Sequence, residues 1–294
     1  MKPADPTFQK IIEEGSPAGA RRIRESLIKR ALDVPVFEDM LRTSSEATKA
    51  DLMINSPGGD ANTAEKLLIM CRARFPDEFN VIIPNFAKSA ATMMALGADK
   101  IYMGYLSELG PVDPQISIPL PTGQVQFVPA RTYLGGLERI RERIANGEPP
   151  QVYLPILSQI RPEMIKLCEE AIDFSAEFLR RWLPKGVLKS NPSKVNEIVD
   201  ALVGGARYKS HGQVIDYREA IRLGLNVEFI EPKSELWTLL WELYLRSIHF
   251  LNLSRNAAKL FETETSSITL NIEAIPAMPR PTSPSQSPAP SPSQ

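Results

Sequence analysis

Cysteine and histidine are nearly missing from this 294-residue chain, which carries two of each. Cys71 and Cys168 lie in separate apolar, helix-like patterns rather than at metal-ligand spacing. That excludes a zinc centre and a disulfide framework, and it implies a reducing compartment. Neither sign of charge is in excess: 34 basic and 35 acidic residues give a net charge of −1. Nothing general attracts a phosphate backbone, so nucleic acid is not an expected partner. No glycine-rich nucleotide fingerprint is present; no cofactor is expected, and any ATP-driven step has to come from a partner.

Long apolar runs are missing too. The longest candidate, residues 235–253, contains Glu235, Glu242, Arg246 and His249, too many charges for a membrane span. Its apolar positions, among them Leu236, Trp237, Leu239 and Leu240, cover more than one helical face. The expectation is a helix packed on its own domain and on a neighbouring subunit, with peripheral membrane contact as the alternative. The first 30 residues are charged and lack a continuous apolar core, so they do not read as a signal peptide and cytoplasmic residence is the default.

What the chain does have is ample apolar content, 43%, for an α/β core. Residues 1–46 read as an N-terminal helical segment, clearest at RRIRESLIKRAL (residues 21–32). Then the period changes. ADLMIN (50–55) reads as a buried strand, SPGGD (56–60) as a sharp turn, and TAEKLLIMCRARF (63–75) as a helix ending before Pro76. Residues 81–86 form the next strand, a helix follows to about residue 97, and residues 101–103 form a third strand. Strand, turn and helix repeated in this order imply parallel strands with crossover helices. LPTGQVQFVP (120–129) suggests a hairpin and residues 150–183 a helical insertion. Short helices at 192–202 and 216–223 and a strand at 227–230 close a domain expected to span 47–232. An amphipathic helix at 233–260 and a proline- and serine-rich segment at 274–294, read as disordered, complete the expectation.

The chemistry concentrates at NFAKSAATMMALGADK (85–100), where a buried strand breaks into a helix with Ser89 at the break. Small residues on either side, Ala87, Ala90 and Ala91, permit a tight turn of the kind that presents a nucleophile. A serine hydroxyl needs a base, an orienting acid and oxyanion donors. Gly58 and Gly59 can bring backbone N–H groups close to a ligand oxygen, and the natural oxyanion pair is the N–H of Gly59 with that of Ala90. Taken alone, a two-glycine turn is more often structural. Of the two histidines, His211 lies in the polar segment YKSHGQVIDY, whereas His249 falls in the apolar helix and reads as a packing or interface residue. Asp113, between Pro111 and Pro114 in SELGPVDPQI, is the candidate acid, although proline-bracketed acids are also common in plain turns. Two lysines compete for the role of base: Lys88, which adjacency to Ser89 points away from it, and Lys209.

NSPGGD, AKSAATMMALGADK and SELGPVDPQ, in that order and spacing, resemble the serine dehydrogenase proteinase family, a branch of the proteins with the Clp protease fold. At greater distance the segment is similar to the Clp proteolytic subunit and to signal peptide peptidase. The resemblance covers about residues 50–230. It implies a Clp protease/crotonase-like α/β fold of repeated ββα units and a serine endopeptidase with a triad in the chain order Ser89, Asp113, His211. It further implies a peptide or protein substrate, a homo-oligomer, and room for an ATP-dependent partner. Residues 1–45 offer only VPVF (34–37) as an apolar run, which leaves open whether the fold's first strand is present. Two other readings stand beside it: a catalytically inactive oligomeric scaffold, and an acyl-coenzyme A hydrolase of the wider crotonase-like fold.

Overall fold

Period-two alternation sorts the strands' side chains onto two faces. In the computed structural model, Leu52 and Ile54 join the main apolar core while Met53, between them, joins a second cluster on the opposite side. Phe79, Val81 and Ile83 face the first core and Ile82 the second, as a strand's alternating side chains require. The structure describes residues 9–11, 33–43, 47–119, 125–205, 207–254 and 257–271.

The main sheet has seven strands. β1 (Gln9–Ile11), β2 (Lys49–Ile54), β3 (Glu78–Ile83), β5 (Lys100–Met103) and β10 (Val227–Phe229) run parallel, in the order β10, β5, β3, β2, β1. The antiparallel pair β11 (Ala257–Glu262) and β12 (Ser267–Asn271) extends the sheet beyond β1. A smaller sheet joins β4 (Phe86–Ala87), β6 (Glu108–Leu109) and β9 (Ile215–Asp216) in the order β4, β6, β9. β3 and β5 are each followed by a short strand that crosses to the second sheet, β4 and β6. Ser56, just after β2, makes a single bridge to Ala87. This is the ββα repeat that the motifs imply.

Helices fill both faces. α1 (Asp33–Thr43), α2 (Ala61–Arg74) and α3 (Ala90–Leu96) cover the larger core. A hairpin of β7 (Gln115–Pro119) and β8 (Val125–Pro129) leads into α4 (Ala130–Ala145), which packs on α5 (Pro162–Trp182). The shorter α6 (Val195–Val203) and α7 (Tyr217–Arg222) precede β10. α8 (Glu235–Leu253) lies on the other face and buries Trp237, Leu240 and Tyr244. Leu236, Leu239, Leu245, Phe250 and Leu253 remain exposed along it. No described helix is long and apolar enough to cross a membrane.

Several sequence expectations are corrected here. The strand expected at 81–86 is two strands in different sheets. Pro84 has no N–H to donate, and the Phe86 N–H turns aside to the Asn55 side chain at 3.2 Å. The hairpin begins earlier than residue 120, at Gln115, and α4 was not anticipated at all. In the N-terminal segment expected to be helical, Gln9–Ile11 is a strand beside β2 and supplies the fold's first strand. The helix expected at 21–32 and the proline- and serine-rich segment at 274–294 lie outside the described residues. β11 and β12 continue the main sheet past residue 232, and residues 257–260, expected as the end of the amphipathic helix, are strand. Lys259 disguised that strand: it is fully buried, with its ammonium 2.6 Å from both carboxylate oxygens of Asp33, a partner 226 positions away.

Candidate active site

The local backbone at residue 89 is unusual before any partner is considered. Ser89 has φ 52° and ψ −119°, and it is the one non-glycine residue with positive φ among the described residues. Such a conformation costs an L-residue about 1–3 kcal/mol and persists only where the surroundings impose it. They do so here. The helix that follows, α3, is buried at every position, and Ala90 and Ala91 offer only methyl groups where the chain reverses. A sharp strand-to-helix turn at positive φ is the geometry of a nucleophile elbow.

The first glycine turn is laced to that strand. Ser56 N–H donates to the Phe86 carbonyl at 2.9 Å, and Lys88 N–H donates to the Ser56 carbonyl at 2.9 Å. Gly58, at φ 100°, is pressed so closely against the elbow that a Cβ there would stand 2.8 Å from Ser89 Cβ and 3.1 Å from the Ala90 nitrogen. Its own N–H is held by Ser56 Oγ at 3.1 Å. Among the described residues, neither the Gly59 N–H nor the Ala90 N–H donates to a protein acceptor. Asp60 ends the turn by capping α2, accepting from the Thr63 N–H and hydroxyl, each at 2.8 Å.

Asp113 and His211, 98 positions apart, meet. The His211 Nδ1 lies 2.8 Å from Asp113 Oδ1, with the two side chains 22% and 12% exposed. With the carboxylate accepting, Nδ1 carries the proton, and Nε2 of the neutral ring is the free acceptor. Asp113 is held on both sides: Val112 N–H donates to the Leu202 carbonyl at 3.0 Å, and the Pro114 carbonyl accepts from Ala130 N–H at 2.9 Å.

Ser89, Gly58, Gly59 and His211 line one cavity of about 700 Å³. Its apolar wall includes Met93, Val112, Leu167 and Phe174, while Asp60 and Glu170 supply carboxylates. No hydrogen bond joins Ser89 Oγ to His211 among the described residues; the catalytic hydrogen bonds of apo sites are often long and tighten only with substrate.

The other titratable candidates fall elsewhere. Lys88 turns from Ser89 to the Glu108 carboxylate at 3.2 Å and the Leu109 carbonyl at 3.0 Å. Burial pulls its ammonium below the usual lysine pKa, and Glu108 opposes the shift. Lys209 and His249 are exposed, and neither lines the cavity. Both cysteines are buried, and burial pushes the Cys71 thiol well above its usual range.

Thr92 was missed in sequence. Fully buried in α3, its hydroxyl reaches the Ala87 carbonyl at 2.7 Å and the Gly110 carbonyl at 3.1 Å, joining the helix after Ser89 to the loop that leads to Asp113. A threonine amid the alanines and methionines of AATMMAL was the available signal.

Residues 28–131 match the family described as ClpP-like SDH-type serine proteinases. The match includes Ser89 and Asp113 and stops short of His211, and it agrees with the α/β, Clp protease-like fold. Two uncharacterized proteins of Methanocaldococcus jannaschii are similar to the chain. One is 31% identical over 214 residues, covering 72% of this chain and 65% of the relative. The other is 30% identical over 204 residues, covering 69% and 60%. The chain therefore spans somewhat less than two thirds of the length of either. Among solved structures, two mutants of a membrane-bound stomatin-specific protease align with TM-scores of 0.42 and 0.41 at 13% identity; the second is in complex with a substrate peptide. They cover 74% and 83% of this chain and 79% and 84% of their own. The ClpP protease catalytic domain from Plasmodium falciparum aligns with a TM-score of 0.32 at 12% identity, over 78% of this chain and 85% of that one.

Proposed function

We propose that this chain, whose residues 28–131 match the ClpP-like SDH-type serine proteinases, is a serine peptidase with Ser89 as nucleophile, His211 as base and Asp113 as orienting acid. The observation that carries the reading is convergence. The strained Ser89 and His211 border the same cavity, and Asp113, from a third stretch of chain, meets the His211 ring at 2.8 Å from behind. Close packing of small residues alone needs no histidine–carboxylate pair at that place.

The chemistry follows from the groups present. Ser89 Oγ attacks the scissile carbonyl carbon as its proton passes to His211 Nε2, and the carbonyl electrons move onto oxygen. The N–H groups of Gly59 and Ala90 receive that oxyanion. Collapse of the tetrahedral intermediate breaks the C–N bond, and the leaving amine takes the proton from His211. Water then attacks the acyl-serine with His211 again accepting the proton, the carboxylic acid departs, and Ser89 regains its hydrogen. Asp113 accepts from Nδ1–H throughout, holding the tautomer and favouring the transient imidazolium. The wall of Met93, Val112, Leu167 and Phe174 suits an apolar side chain beside the scissile bond, so a peptide with such a residue is the substrate class that fits.

Labelling with a fluorophosphonate probe tests the reading. Wild type should label, and Ser89→Ala and His211→Ala should not, with circular dichroism unchanged. Equal labelling of Ser89→Ala and wild type removes Ser89 as nucleophile, and an unlabelled wild type favours the inactive scaffold.

A further inference from the structure

The strands nearest the candidate triad are two residues long and contain none of its members. β4 and β6 pair only at Phe86 with Glu108 and Ala87 with Leu109, and β6 and β9 only at Glu108 with Asp216 and Leu109 with Ile215. One side chain spans all three segments. Lys88 directly precedes Ser89, and its ammonium reaches Glu108 Oε1 at 3.2 Å, the Leu109 carbonyl at 3.0 Å and the Gln213 carbonyl at 3.4 Å. Its stem runs over Gly110, where a Cβ would meet Lys88 Cδ at 2.6 Å. An ammonium has three protons and here three acceptors, and the side chain is only 12% exposed.

The three acceptors belong to two parts of the candidate machinery. Glu108 and Leu109 form the strand that leads to Asp113, and Gln213 lies two residues beyond His211 in the loop before β9. We propose that Lys88 is a positioning residue: it sets the His211 loop and the strand leading to Asp113 at a fixed distance from Ser89. This rests on the reading of Ser89, Asp113 and His211 given above. Lys88 itself touches no reacting atom, and with its protons committed to carbonyl and carboxylate oxygens it is not the base. A shift of about 1 Å between nucleophile and base lowers a rate by about 100-fold, so a clamp at this place controls reactivity rather than binding.

The experiment separates positioning from plain stability. Lys88→Met keeps the stem but leaves Glu108 unpaired, so Lys88→Met/Glu108→Gln is made beside it to remove that lone charge. The readouts are the maximal fluorophosphonate labelling rate, the probe's apparent affinity, and Tm. The expected result is a maximal rate reduced about 10- to 100-fold in both variants, with affinity near wild type and the double variant melting close to wild type. A wild-type rate in Lys88→Met overturns the proposal. So does a double variant whose rate recovers together with its Tm, because that assigns Lys88 to stability alone. Ser89→Ala in the same series keeps the two readings apart: its continued labelling overturns the nucleophile assignment, and the positioning role with it.

Discussion

Replacing Gly58 by alanine would set a methyl group 2.6 Å from the Lys88 carbonyl oxygen, 2.8 Å from Ser89 Cβ and 3.1 Å from the Ala90 nitrogen. Ordinary contact begins at 3.4 Å, so the closest approach is 0.8 Å too short. The obstacle is largely backbone. The Lys88 carbonyl already accepts from Ala91 N–H at 2.9 Å, and moving it opens the first turn of α3. Gly58 also sits at φ 100°, outside the comfortable range of an L-residue. The conformational penalty is about 1–2 kcal/mol and overpacking adds about 1–3 kcal/mol, which together make a loss of about 2–5 kcal/mol. At roughly 2–4 °C per kcal/mol for a domain of this size, Tm should fall by roughly 4–20 °C. Activity should suffer more than stability. The turn must retreat from the elbow and carry the Gly59 N–H with it, and loss of one oxyanion donor costs about 10²–10³ in rate. Thermal unfolding followed by circular dichroism, paired with labelling rates measured well below Tm, checks both halves. A Gly58→Ala protein that melts and labels like wild type would refute the packing argument and the placement of the oxyanion donors together.

Other outcomes follow from the same contacts. Asp113→Asn keeps the side chain's shape but can hold the wrong histidine tautomer; labelling should drop by up to about 10⁴-fold, the loss known for this change in the serine-protease template, with Tm little altered. Lys259→Met strands the Asp33 carboxylate, 3% exposed, and should destabilise by about 3–5 kcal/mol at neutral pH. Burial already raises the Asp33 pKa while Lys259 opposes the rise, so removing the lysine raises it further. An acid with a raised pKa in the fold binds its proton more readily folded than unfolded, so the penalty should shrink as pH falls through that value. Denaturant unfolding of wild type and variant at pH 7 and pH 5 gives the difference directly. A penalty that is the same at both pH values would show that the carboxylate is not the origin of the loss.

Much of the site was legible because its determinants are local. A serine between small residues at a strand end, two glycines in a turn after another strand, and an aspartate between prolines are constraints on φ and on close approach, and such constraints are written in adjacent residues. The strand–turn–helix order likewise follows from a change of apolar period. Lys88 shows where this stops. Adjacency predicted that it points away from Ser89, but only the placement of β6 and the residue-213 carbonyl gave it a destination. Thr92 and the buried Lys259 were hidden for the same reason, since a polar group joins a core only when a distant partner satisfies it. α4 escaped notice because its surface is mostly solvated and its buried stripe narrow; only Ala130 is buried in it.

By itself, then, the amino-acid order determined the strand–turn–helix repeat, the sharp turn at Ser89 and the glycine turn after the preceding strand, all through backbone geometry and periodic burial that act over a few residues. Tertiary structure decided what those parts face. It brought His211 to Asp113 across 98 positions and Lys259 to Asp33 across 226, and it turned Lys88 into a strut to β6 and to the loop before β9. Pairings of that kind depend on how chain segments stack in space, and no local pattern of apolar and polar residues encodes the choice of partner.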